Sequence, residues 1–247
     1  MKDLDDHKKI AVLIDADNAQ FSRMKSILEE LSAHGHIVVK RAYGDWSSDY
    51  LKNWKTVLNE LAIQPIQQFA YTTGKNATDA SMIIDAMDLL YSKRFDAFAL
   101  VSSDSDFTKL AARLRESEIF VFGFGEKKTP VSFRNACDDF TFTEVLDVEE
   151  GPTPEQSQSK PNGKHRKLVQ LFTRAWEQYQ DDTGWATLGV AGSFAKRSNP
   201  DFDPRNYGAS SLSNLLKELN QDFELKLTSG KASNKRTIVM YRPVIKT

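Results

Sequence analysis

Carboxylates in a few short motifs are the residues of this chain most able to do chemistry. Asp15 and Asp17 close the apolar run Ile10-Ala11-Val12-Leu13-Ile14, and Asp104 and Asp106 follow Ala99-Leu100-Val101 by way of Ser102 and Ser103. Asp45 ends a third apolar segment, and Asp79 follows Thr78 where a helix is expected to begin. A lone Asp or Ser in such a place serves as a turn residue or satisfies the orphan amides of a helix. Several such ends converging on one edge argue for more. Like charges held close together coexist only by protonating or by binding a cation. An all-oxygen set suits Mg²⁺ or Mn²⁺ better than zinc, and such metals serve phosphoryl chemistry. None of the four histidines lies in these segments, which argues against a histidine base.

The elements that must position these acids follow from hydrophobic spacing. Strands are expected over 9–14, 36–43, 66–71, 95–101 and 119–124, with an edge segment at 140–142. Helices are expected between them, at 50–61, 79–91 and 107–116 among others. Such alternation predicts an α/β domain, a three-layer α/β/α arrangement around a mostly parallel sheet. In sheets of this kind ligands bind at the carboxyl ends of the strands. On the 79–91 helix the expected apolar stripe is Ala80, Ile83, Met87 and Leu90. Asp79 falls at its margin, turned toward the sheet, while Asp85 and Asp88 fall on the outer face.

The chain has 247 residues, 40% of them hydrophobic, enough for one large domain or two moderate ones. A single cysteine, Cys137, leaves no internal disulfide and points to a reducing cytoplasm. No apolar run reaches membrane-spanning length, and residues 1–7 lack the apolar stretch of a signal peptide. Residues 1–150 hold 18 Lys and Arg against 25 Asp and Glu, a net −7, whereas residues 151–247 hold 15 against 9, a net +6. An acidic half joined to a basic half suits carboxylates for metal beside a surface for a polyanion. Chance drift of charge between two domains is the plain alternative.

Pro152, Pro154 and Pro161 with polar filler mark residues 149–163 as a linker between a domain at 1–148 and a second at 164–247. The second half reads as three helices followed by a β-hairpin, the layout of a small winged-helix domain. Lys164, Arg166, Lys167, Lys196, Arg197, Lys231, Lys235 and Arg236 are its candidates for phosphate contacts. The same residues would equally form the solvated face of a protein-binding module.

Ile14-Asp15-x-x-Asn18, Lys75-x-x-x-Asp79 and Ser103-Asp104-Ser105-Asp106-Phe107 together resemble the NYN domain of the PIN-like nuclease superfamily. Gly123-Phe124-Gly125, Lys128-Thr129-Pro130 and Ala136-Cys137-Asp138 resemble its LabA-like bacterial branch. Gly184-Trp185, Phe202-Asp203-Pro204 with Tyr207-Gly208, Leu212-Ser213-x-Leu215-Leu216 and Phe223-Glu224-Leu225 are similar to the OST-HTH module, also called LOTUS. The resemblance implies metal-dependent RNA cleavage, with Asp15, Asp79, Asp104 and Asp106 as catalytic acids and as ligands of Mg or Mn. Asn18 would then orient Asp15 or a water, Ser103 would support the site through its hydroxyl, and Asp45 is a supporting candidate. RNA, single-stranded or structured, is the implied partner, with a protein partner possible through the second domain.

Two other readings remain open on sequence. Asp15-x-Asp17 and Ser102 also resemble the first two motifs of a haloacid-dehalogenase-type phosphatase, with Lys128 and Asp138-Asp139 as poor stand-ins for the rest. An adaptor that keeps the fold and only binds RNA would carry the same acids.

Overall fold

The computed structural model describes residues 8–69, 77–146, 161–229 and 237–244. The chain divides into two compact units, Met1–Glu149 and Glu150–Thr247.

The first unit is built on six parallel strands: β1 (Lys9–Asp15), β2 (His36–Gly44), β3 (Gln64–Gln67), β4 (Ala97–Val101), β5 (Phe120–Gly125) and β6 (Asp139–Phe142), in the spatial order β3-β2-β1-β4-β5-β6. β1 and β4 lie at the centre and are buried on both faces, which is why they read as unbroken apolar runs. Parity sorts their side chains. Ile10, Val12 and Ile14 face one layer with Met24, Ile27 and Leu31 of α1 (Met24–Ser32) and Trp54 of α2 (Trp54–Glu60). Ala11 and Leu13 face the other with Met82 of α3 (Ala77–Tyr91), Leu110 of α4 (Thr108–Glu116) and Phe133 of α5 (Val131–Ala136).

Three expectations shift. The third strand is not 66–71: it pairs only with β2, from Arg41↔Gln64 to Gly44↔Gln67. Pro65 is tolerated there because β3 is an edge. Gln68 and Phe69 lie past its end, and Ala70 and Tyr71 lie outside the described residues. Thr78 is not the N-cap of α3, which already includes Ala77. The buried line of that helix is Asp79, Met82, Ala86 and Leu90, whereas Ala80 is exposed. Ile83 and Met87, expected at the centre of the stripe, are partly buried on its flank.

The second unit has α6 (Pro161–Tyr179), α7 (Leu188–Ser198) and α8 (Leu212–Glu218) around Phe172, Leu216 and Tyr241. Its antiparallel sheet has the order β7-β9-β8, with β7 (Ala186–Thr187), β8 (Phe223–Ser229) and β9 (Thr237–Pro243). This is a winged-helix-like arrangement. Its first helix begins at Pro161, before the expected Lys164, since proline suits the first turn of a helix. Tyr179, at the end of α6, is 37% exposed and accepts from Arg197 at 3.0 Å.

Candidate active site

The sheet splits at its centre: from β1 the chain steps outward to β2 and β3, then returns to β4 and steps the other way. The crevice between the carboxyl ends of β1 and β4 is therefore the topological switch point, where open α/β sheets bind ligands. Asp15 ends β1, and Ser102, Ser103 and Asp104 follow β4 directly.

Asp15 has the parity of Ala11 and Leu13 and so belongs to the layer of α3, whose first turn carries Asp79. It is 1% exposed and held by two donors, Ser102 Oγ at 2.7 Å and Asn18 Nδ2 at 2.8 Å, while its other oxygen takes the Asp17 amide at 3.2 Å. Burial raises its pKa, and the bonds from Ser102 and Asn18 oppose that rise. Asp104 caps the single 3₁₀ turn Ser105–Phe107 by accepting the Asp106 amide at 2.9 Å. Its own amide donates to Ser102 Oγ at 3.0 Å, so one hydroxyl joins the β1 and β4 loops.

Ligand oxygens of Asp79, Asp104 and Asp106 lie within 4.8 Å of one another. Asp79 is 9% exposed, and its pKa is pushed up to about 6, by burial first and then by the charges of Asp15, Asp104, Asp106 and Asp17. That is the electrostatic state of a site short of positive charge. Three carboxylates with no histidine or cysteine match a hard divalent cation, so the residues fit Mg or Mn.

The expected residues divide on inspection. Asn18 donates to Asp15 through Nδ2. Ser103 does not touch the acids: its hydroxyl accepts the Glu126 amide at 2.9 Å and fixes the loop after β5. The hydroxyl on the acids belongs to Ser102, and β-strand parity carries the signal, because Ser102 shares the side of Phe98 and Leu100. Gly125 makes the neighbouring approach possible, as a Cβ there would stand 2.6 Å from the Ser102 carbonyl oxygen. Asp45 does not join the cluster. It closes its own turn, accepting from the Ser47 amide at 3.1 Å and from Gln67 Nε2 at 2.9 Å. Asp85, expected to be solvated, is partly buried against β2, where it pairs with Arg41 and accepts from the hydroxyl of fully buried Tyr43. The true stripe through Met82 and Ala86 brings Asp85 to the helix flank that meets the sheet.

The dehalogenase-type reading loses its later motifs. Lys128 pairs with Glu126 at 3.1 Å, and Asp138 precedes β6, at the sheet edge opposite Asp15, where it pairs with Arg115 at 3.0 Å.

Of the phosphate-contact candidates, Lys164 stands in the first turn of α6, Arg166 and Lys167 are exposed on the same helix, and Lys196 and Arg197 close α7. Lys231, Lys235 and Arg236 lie outside the described residues. Spacing alone gave no sign that Lys226 and Arg242 stand over the Trp185 ring, at 5.1 and 4.6 Å from its centre.

A family model described as NYN domain matches residues 9–147, and one described as OST-HTH/LOTUS domain matches residues 159–234. No curated protein matches the chain. Among solved structures, a protein of unknown function from Vibrio parahaemolyticus is 18% identical, with 59% of this chain and 96% of that one covered and a TM-score of 0.47. An uncharacterized protein from Nitrosomonas europaea is 30% identical over 41% of this chain and 89% of that one, with a TM-score of 0.30. A third, from Chromobacterium violaceum, is 27% identical over 37% and 89%, with a TM-score of 0.27.

Proposed function

The chain belongs to the NYN domain family, and from that premise we propose that it hydrolyses RNA phosphodiesters with the help of Mg or Mn. The observation that carries this reading is the cluster of Asp79, Asp104 and Asp106 beside buried Asp15 at the switch point of the sheet. Asp79, Asp104 and Asp106 would hold the cation, while Asp15, expected as a fourth ligand, is not grouped with their oxygens and would add its charge to theirs. When bound, such a cation lowers the pKa of a water and steadies a leaving oxygen. The chain's own residues do the positioning. Ser102 and Asn18 fix Asp15, the Asp106 amide fixes Asp104, and Asp79 supplies a carboxyl that burial and the neighbouring acids push up to about 6.

The basic second unit would hold the RNA, through cations that include Arg166, Lys196 and Arg197, and the cytoplasm is the compartment this reading implies. The test is digestion of mixed RNA and DNA substrates by the full chain with Mg²⁺, Mn²⁺ or EDTA, beside Asp104→Asn. Cleavage of RNA that needs metal and is abolished in the variant supports the proposal, and fragments should carry a 5′-phosphate and a 3′-hydroxyl. A 2′,3′-cyclic phosphate would mean attack by the RNA's own hydroxyl, and binding without any cleavage would favour the adaptor reading.

A further inference from the structure

An open groove of about 880 Å³ runs along the carboxyl end of β2 and the edge strand β3. Trp46, Leu51, Lys52, Lys55, Pro65 and Gln67 are among its walls. The Trp46 indole is fixed in place: its N–H donates to the Ile66 carbonyl at 3.0 Å, and its ring stands edge-on to Trp54 with centroids 6.2 Å apart. Tyr50 follows the lining residue Asp49 without itself lining the groove, and it is 84% exposed. Lys52 and Lys55 are exposed and three residues apart, and Asp49 is the one acid among the described lining residues. Two cations at one groove stand out in a half of the chain whose net charge is −7.

Gly44, at the end of β2, lies between the groove wall and Asp17 on the α2 side of the sheet, the face opposite the layer that carries Asp15 and Asp79. A Cβ on Gly44 would lie 2.6 Å from Leu51 Cδ1 in the groove wall and 3.6 Å from Asp17 Oδ1. We infer that this groove is a subsite for single-stranded RNA, with bases stacked at Trp46 and Tyr50 and phosphates at Lys52 and Lys55. The inference rests on the nuclease reading for the identity of the strand. A fixed indole and an exposed phenol interleaved with cations suit unpaired bases, whose faces a duplex hides. Exposed Tyr50 has no packing role to account for it, and the paired lysines supply charge complementarity to a backbone rather than to a neutral peptide.

The test uses the full chain in EDTA with a short 4-thiouridine oligoribonucleotide, crosslinked by light and mapped by mass spectrometry. Crosslinks within residues 46–55, displaced by unlabelled single strand and far less by duplex, are expected. Tyr50→Ala should weaken binding about tenfold. Lys52→Ala with Lys55→Ala should flatten the slope of log affinity against log salt by about 1.4, at about 0.7 per single-strand phosphate contact. Because all three side chains are exposed, the variants should keep the melting temperature of the parent. Crosslinks confined to 161–244, equal displacement by duplex or by an acidic peptide, or unchanged affinity in both variants would overturn the subsite. The two readings fail separately. A chain that cleaves nothing with Mg²⁺ yet crosslinks in the groove keeps the subsite and loses the nuclease, and a chain that cleaves without groove crosslinks does the reverse.

Discussion

Asp79 is where the electrostatics of single residues become measurable. Its carboxyl titrates at about 6 in the folded chain against an ordinary 3.8, so the folded state binds that proton more tightly than the unfolded one. Stability from this group is therefore present below about pH 4 and is lost as pH rises through 6. In EDTA, Asp79→Asn should be more stable than the parent at pH 7–8 by on the order of 1–2 kcal/mol, and the gap should close toward pH 4. Thermal melts across that range decide it, and a gap independent of pH would remove like-charge crowding as the cause. Residue types and spacing pointed to Asp15, Asp17, Asp45, Asp79, Asp104 and Asp106 together, and only the family resemblance narrowed them to Asp15, Asp79, Asp104 and Asp106. Which serine serves them was not legible from adjacency. Ser102 and Ser103 differ only in parity, and parity is fixed once the face of Phe98 and Leu100 is known.

At the scale of elements, the central strands were legible and the edges were not. β1 and β4 are apolar on both faces because helices cover both, whereas β3 is Gln64-Pro65-Ile66-Gln67, which buries too little to announce itself. The α3 stripe was misplaced because Ala80 reads as apolar, although the packing is made by Met82, Ala86 and Leu90. The returns from helix to strand at the edge away from the acids share one conformation. Ala62 (φ 49°), Lys93 (φ 54°) and Glu118 (φ 62°) are left-handed residues after α2, α3 and α4. Each amide bonds back to a late helical carbonyl, as with Glu118 N to Arg115 O at 2.9 Å. Glycine adopts that region without Cβ conflict, so Ala62→Gly, Lys93→Gly and Glu118→Gly should each stabilise by about 0.5–1 kcal/mol in urea unfolding, the relief exceeding the entropy glycine adds to the unfolded chain. A loss of stability in all three would show that side-chain contacts outweigh backbone strain there.

For the whole molecule, the contrast of −7 against +6 would, on the proposed reading, divide catalysis from RNA holding. Cutting the chain near Pro154 should lower apparent RNA affinity and make it less sensitive to salt, while residues 1–150 keep their turnover of saturating substrate. Equal affinity of residues 1–150 and the full chain across a salt series would leave the second unit free for a protein partner. The switch point has a consequence of another kind. Asp15 and Asp79 precede the turn at Lys93, whereas Ser102, Asp104 and Asp106 follow it, so the acidic cluster is divided between two halves that meet along the β1–β4 ladder. A chain cut at that turn becomes a pair of complementary fragments, neither of which owns the cluster. Mixed together, they should associate more tightly in Mg²⁺ than in EDTA, with an inert monovalent salt giving no such gain. The ion would then act as a clasp on the fold itself, and reassembly of the halves would report its presence even where no bond is cleaved.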